Sequence, residues 1–507
     1  TWLQNMKDNA FTIAPSFSFL PKAGTRINVD VNHTQLTTLE NDGIFPFKGK
    51  SIEETPIDFT VFQLGDRNNT TTTSVNFSLS QRLTNNVSFN VSYLKDFLTW
   101  DDKKHAAEIY KGDGAWSNGD SSVSLQYWEW DAKMDADNVT GYLTADFNTG
   151  TLQHRALLGY DYNVSLFNWG TYSYAEAVGT VNVYDPAKSS HLDGATYNLA
   201  SYNYALANQT RDFANGIYFQ DQISIIERLK LLLGLRYEDY TFRLAYKTPT
   251  ENEVSQKAWL PKVGLTYNFP SNTHVYASYI TGFQPVSSAS LLFGSVEGGG
   301  ALKPEYSNQI EAGVKQELFN KNLLLTLALY QIKKINVTQQ INPGVADPND
   351  RLYRQLGEVT SKGIEIEFNG RIGSSFSVNG AYNFNDAKIT KDLVPEKIDE
   401  KLGLAPNHQG NLWAKYEIIN DGSFNGLGFG GGVNFSSKTP MLQAPTLFTA
   451  GYAVADAAIF YKINRVSLNL NVNNIFDKRY YTGAVRQSER YYTGAPRNLI
   501  FRVGYSL

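Results

Sequence analysis

The stretch RNLIFRVGYSL, residues 497–507, decides the fold. Leu499, Phe501, Val503, Tyr505 and Leu507 fall on one side of an extended chain. Asn498, Arg502, Gly504 and Ser506 fall on the other, with Ile500 the one apolar exception. Strand side chains alternate between faces, so the run reads as a strand with one apolar and one polar face. A soluble sandwich strand has the same pattern. Repetition along the whole chain, and an aromatic residue close to its end, separate the two.

The repetition is there. In 228–243, Leu229, Leu231, Leu233, Leu235 and Tyr237 oppose Lys230, Gly234, Arg236 and Glu238. In 353–370, Ile364, Ile366 and Phe368 oppose Glu365, Glu367 and Asn369. In 465–475, Val466, Leu468, Leu470 and Val472 oppose Ser467, Asn469, Asn471 and Asn473. Strands are expected at 11–20 and 26–39 around PKAGT, at about 71–82 and 86–99 around LTNN, and at 121–148 and 151–167 around NTG. Later pairs are 213–225 with 228–243, 257–269 with 273–281, 306–318 with 322–337 and 353–370 with 374–389. The last are 408–419 with 423–437 and 450–461 with 465–475, and 496–507 stands alone. Longer irregular segments are expected at 40–70, 100–120 and 168–212.

Short turns alternating with long loops are the rhythm of an outer-membrane barrel, whose strands face lipid on one side and a wet lumen on the other. The chain of 507 residues is long for one soluble core but ordinary for a large barrel. Hydrophobic residues make up 42% and mean hydropathy is −0.34, which argues against a helical membrane bundle. No apolar run approaches the roughly 20 residues of a spanning helix. Aromatics reach 13%, with 31 Tyr, which suits interfacial girdles and ligand-binding loops. Zero Cys excludes disulfides and thiol chemistry, and a net charge of −4 argues against nucleic acid as a partner.

The pattern predicts an all-β fold, a transmembrane antiparallel β-barrel with about nineteen strands in this chain. Bacterial single-chain barrels have even strand numbers. An odd number of strands is therefore expected before Thr1.

Five stretches, in order, resemble TonB-dependent siderophore receptors: FTIAPSFSFLP (11–21), YFQDQ with RLKLLLGLRYEDY (218–222, 228–240), GALKPEYSNQIEAGVKQELF (300–319), GEVTSKGIEIEFNG (357–370) and NVNNIFDKRYYTG (471–483). The resemblance covers essentially the whole chain, so 1–507 reads as that family's barrel domain. It implies a complete barrel of about 22 strands that imports a ferric siderophore. The family's N-terminal plug, TonB box and first three strands are expected to lie outside this sequence. It also implies the TonB complex as a partner through that N-terminal region, contact with outer-membrane lipid and lipopolysaccharide, and a monomer. No cofactor is expected, and iron enters only inside the bound ferric siderophore.

No catalytic constellation stands out. The six His are scattered, without H-x-H or HExxH spacing, and there is no G-x-S-x-G or P-loop. Neither a catalytic residue nor a metal site is expected. A ferric siderophore arrives with its iron coordinated, so its receptor needs aromatic surfaces and a few donors. Phe45 and Phe47 resemble, in position, the loop aromatics that hydroxamate-type receptors turn to their ligand. Trp116, Trp169, Tyr172, Tyr174 and Tyr202 are further loop candidates. Arg351, Tyr353 and Arg354 form one charged-aromatic cluster, and Arg486, Arg490, Tyr491 and Tyr492 another. For each, the plain alternative is a girdle or loop-packing role. Trp128 and Trp130 share one face of a long strand and read as girdle or loop support. Three other functions compete: a receptor for cobalamin or a glycan, a passive porin-like channel, and a barrel enzyme.

Overall fold

A computed structural model describes residues 8–39, 43–46, 50–108, 116–117, 121–182, 184, 189–202, 209–286, 295–299, 302–341, 352–420, 422–442, 444–485 and 490–506. Among them the main sheet has 24 strands. Four of these cap longer ones: Trp116–Ser117, Tyr172–Asn182, Ala200–Tyr202 and Ser295–Val296. The rest form an up-and-down antiparallel meander. Its staves are β1 (Asn9–Ile13 and Ser16–Lys22, interrupted at Ala14–Pro15), β2 (Thr25–Thr38), β3 (Arg67–Arg82), β4 (Val87–Ala107), β5 (Ser122–Thr149) and β6 (Leu152–Asn168). The middle staves are β7 (Thr210–Ile226), β8 (Leu229–Leu244), β9 (Asn252–Phe269), β10 (Thr273–Gln284), β11 (Glu305–Leu318), β12 (Leu323–Gln340), β13 (Leu352–Ile372) and β14 (Phe376–Lys391). The series ends with β15 (His408–Glu417), β16 (Leu427–Ser436), β17 (Tyr452–Ile463), β18 (Val466–Asn473) and β19 (Asn498–Tyr505). No helix among the described residues is long and apolar enough to cross a membrane.

Tight turns join the staves at one end. Gly24 and Gly150 hold φ of +84° and +61° there, a backbone that a side chain disfavours. Each stave pairs with its sequence neighbour, and register carries the alternation across the sheet. Ile372, Phe376, Tyr416, Phe429, Ile459, Leu470 and Phe501 pair in one unbroken row. A second row runs Leu143, Leu158, Phe219, Leu235. Apart from the half-buried Phe376 these side chains are exposed, as an apolar belt facing lipid must be.

The opposite face is polar and carefully flattened. Arg236 bridges Asp161 at 2.6 Å and Glu238 at 2.5 Å, and lies over the Tyr218 ring. Glycines make room for these long side chains. A Cβ on Gly159 would stand 2.2 Å from the Tyr218 ring, and one on Gly216 would stand 2.0 Å from the Arg236 guanidinium.

Two segments differ from the sequence expectation. The loop expected at 100–120 is strand as far as Ala107, because β4 stays paired with β5 from Val87 to Ala107. The loop expected at 168–212 contains Tyr172–Asn182, which pairs with the top of β5 after β6 has ended. Among the described residues β1 pairs only with β2 and β19 only with β18. The largest apolar core lies in the loop layer. Ile44, Phe45, Ile52, Phe59 and Val61 from the β2–β3 connection meet Val123 and Leu125 of β5, and Met441, Tyr481 and Tyr491 from later loops.

Candidate ligand-binding surface at the outer loops

β4 and β5 project far beyond the apolar belt, and their register sorts the residues at the top onto two faces. Trp100, Asp102 and Lys104 stand opposite Ala132, Trp130 and Trp128. Tyr172 and Tyr174 add themselves opposite Trp130 and Trp128. All lie on the face opposite Leu143 and Phe147, hence on the polar side of the sheet.

The result is a wall of stacked rings. Trp100 and Trp130 are near-parallel, with centroids 6.4 Å apart and planes at 8°. Trp130 stacks on Trp169 at 6.2 Å and donates its Nε1 hydrogen to the Trp169 carbonyl at 2.7 Å. Phe167 meets Trp169 edge-on at 4.6 Å. Trp128 contacts Tyr172 at 5.5 Å, Tyr172 stacks on Tyr174 at 6.1 Å, and the Lys104 ammonium sits 4.7 Å over Trp128. The small side chain of Ala132, directly across from Trp100, leaves space for the indole to lean onto Trp130. Gly170, at φ +59°, places Trp169: a Cβ there would run into the Asp131 carbonyl. The Trp169 Nε1 is buried and lacks an acceptor among the described residues.

Such a wall offers π-faces, with Lys104 buried among them and paired with Asp102 at 3.6 Å, and its rings are already ordered by their mutual packing. That suits a large ligand with an aromatic or planar organic shell. Among the described residues no group of three or more His, Asp or Glu side chains is placed to hold a metal.

Family-model comparison matches residues 16–475 to "TonB dependent receptor-like, beta-barrel". The chain belongs to that family. This TonB-dependent receptor, an outer-membrane β-barrel, is 29% identical over 354 residues to the Ferrioxamine B receptor of Salmonella typhimurium, covering 69% of this chain and 47% of that protein. It is 26% identical over 514 residues to the Ferrichrome outer membrane transporter/phage receptor of Escherichia coli K12, covering 94% of this chain and 64% of that protein. The chain thus spans about half to two thirds of the length of these relatives. In fold it resembles the ferric-catecholate import receptor Fiu of E. coli K12, with a TM-score of 0.77 at 21% identity over 99% of this chain and 75% of that one. It also resembles FpvAI in its pyocin S2 complex, with a TM-score of 0.80 at 20% identity over 100% of this chain and 64% of that one.

In this TonB-dependent receptor the residues singled out from sequence fall into separate places. Trp169, Tyr172 and Tyr174 are in the ring wall. The backbones of Trp116 and Tyr202 extend the same sheet, Trp116 opposite Val123 and Tyr202 opposite Tyr172. Phe45 is inside the loop core, edge-on to Phe59 at 5.8 Å, and Tyr491 is in the same core against Tyr481. Tyr492 is half-buried beside it and Arg490 is exposed. Tyr353 pairs with Gln340, while Arg354 is buried beside a cavity. Phe47, Arg351 and Arg486 lie outside the described residues.

Sequence reading missed Trp100, Phe167 and Lys104, and kept Trp128 and Trp130 for girdle or support. The i, i+2 spacing of the two indoles was a signal, but only register brings Trp100 and Trp169 onto them.

The other face of the same hairpin anchors the β2–β3 connection. His105 Nδ1 is 2.7 Å from Asp66, and its Nε2 is 2.8 Å from the Tyr197 hydroxyl. Burial, reinforced by the bond to Glu129, pushes the Tyr127 hydroxyl up from its ordinary pKa. Tyr197 is pushed the same way by burial and then by the Asp66 charge.

Proposed function

We propose that this TonB-dependent receptor binds a ferric siderophore at the outer loops and imports it across the outer membrane. The observation that carries this reading is the Trp100–Trp130–Trp169 stack with Lys104 over Trp128. The relatives named as receptors for ferrioxamine B and ferrichrome support the same ligand class. The greater length of those relatives, and the single-sided pairing of β1 and β19, support a closed barrel of about 22 strands. Sequence beyond this chain would supply the remaining strands, a plug and the TonB contact. Rather than catalysis, the role is binding and energy-coupled transport.

Uptake of a panel of 55Fe-loaded siderophores, in a strain lacking its own receptors, tests this. At least one siderophore should accumulate in cells carrying the full-length gene and should fail to do so without TonB. Uptake that ignores TonB and scales with solute size would instead establish a passive channel, and no specific uptake would end the siderophore reading. Replacing Trp130 by Ala should weaken binding of the accepted siderophore roughly 10- to 100-fold.

A further inference from the structure

A cavity of about 570 Å3 opens where the tops of β12 and β13 meet the β14–β15 and β16–β17 loops. That volume is within the usual range for small-molecule sites. Its lining has two parts. Val337, Leu356, Ile389, Leu402 and Leu442 make an apolar part, and Arg354, Lys397, Glu400 and Lys401 bring charge.

Arg354 is the feature that needs a partner. Its side chain is only 10% exposed, and its Nε is buried without a hydrogen-bond acceptor among the described residues. The nearest carboxylates stand off, Asp392 at 3.7 Å from Nη2 and Glu297 at 3.9 Å from Nε. Asp392 is itself buried, with Oδ2 unpaired among the described residues. A guanidinium has five N–H donors, and burying them unsatisfied is expensive.

The other charges nearby are accounted for. Lys397 donates to both oxygens of Glu400, at 2.9 and 3.0 Å. Lys388 pairs with Asp399 at 2.7 Å and Lys391 with Glu358 at 3.0 Å. Lys401 donates to the neutral side-chain oxygen of Asn407. Lys397 and Glu400 cancel, and Arg354 has Asp392 and Glu297 within 4 Å of it, so Lys401 is the lining cation that lacks a carboxylate partner among the described residues, opposite an apolar wall.

We propose that this cavity is a second binding site, distinct from the ring wall, for a small amphipathic carboxylate. The carboxylate takes up the unused guanidinium donors of Arg354, with Lys401 adding charge, and an apolar body packs against Leu356, Ile389 and Leu402. The argument is independent of the siderophore reading, which rests on other residues.

Calorimetric titration of the full-length receptor in nanodiscs decides the matter, with 4-tert-butylbenzoate as probe and 4-tert-butylbenzyl alcohol and inorganic phosphate as comparators. The carboxylate should bind with a defined stoichiometry, and both comparators should bind at least about 10-fold more weakly. Arg354→Gln and Lys401→Gln should each cost roughly 10-fold. Because a buried arginine also serves folding, Leu402→Trp provides a second variant. It fills the apolar part, keeps the Arg354–Asp392 pair, and should abolish probe binding while siderophore uptake persists. Equal binding of alcohol and carboxylate, affinity unchanged in all three variants, or no binding of the carboxylate would each overturn the proposal.

Discussion

Arg479 donates from Nη2 to the carbonyl oxygen of Ile52 at 2.8 Å, joining residues 427 positions apart. The same guanidinium reaches the carbonyls of Glu53 at 3.0 Å and Thr55 at 2.5 Å, and its Nε donates to the Tyr481 hydroxyl at 2.9 Å. These carbonyls belong to the helical turn Ile52–Glu54 and the residue that ends it, so one cation satisfies the Glu53 and Thr55 acceptors and adds a second bond to the Ile52 carbonyl, which already accepts from the Thr55 amide. Hydrogen bonds to a charged donor are worth about 1.5–3 kcal/mol each in buried settings. Arg479→Ala should therefore lower amide exchange protection at Ile44 and Thr55 by roughly 10- to 100-fold, leaving barrel amides unchanged. Arg479→Lys, a point cation without the fork, should recover only part of it.

Alkali should open the same layer. Burial raises the pKa of Tyr491 and of Tyr481, both outside the membrane-crossing part of the staves. A phenol whose folded pKa is raised favours the folded loops at pH below its unfolded value of about 10, and this contribution is lost as pH climbs through the folded value. In absorbance at 295 nm, the signal removed by Tyr491→Phe should appear well above the midpoint of the bulk tyrosines. Coincident titration would refute the burial argument.

The outward row through Phe429, Ile459 and Leu470 predicts an asymmetric response to charge. Lysine at a lipid-facing mid-strand position costs about 2–4 kcal/mol. Ile459→Lys should thus destabilise the receptor refolded in lipid vesicles, as read by urea titration. Asn379→Lys, on the opposite face of β14 and exposed, should change stability by less than about 0.5 kcal/mol.

At the flattened polar face the prediction concerns a pair. Gly159→Ala should push the Tyr218 ring off the wall and cost about 1–3 kcal/mol, as overpacking does. Combining it with Tyr218→Ser should return most of that loss. Simple additivity in the double-variant cycle would show that the ring does not rest on Gly159.

Much of this architecture was legible. Alternation and turns outline the staves because each strand sits between lipid and water, the strongest two-sided patterning a strand experiences. β8, β18 and β19 show it plainly. Reading fails where both sides are wet. Asp101, Asp102, Lys103 and Lys104 look like a solvated loop, yet they continue β4, where Lys103 meets Glu129 across the strand pair at 3.1 Å. Among the candidate residues, Trp169, Tyr172 and Tyr174 were visible as aromatics above the barrel. Trp100 was not, since nothing local marks a residue whose partner is thirty positions on. Phe45 shows the converse: a loop aromatic whose burial depends on contacts with Phe59 and a loop more than four hundred residues away.

The glycines beneath Tyr218 and Arg236 have a consequence for traffic. A ring or guanidinium laid parallel to the wall, over a backbone with no side chain, protrudes little and presents its edge polar groups sideways. A body shearing along that surface would exchange one shallow polar contact for the next instead of climbing over upright side chains. In mechanical terms, the glycines lower the corrugation of this polar face while Tyr218 and Arg236 keep their hydrogen bonds to Asp161 and Glu238.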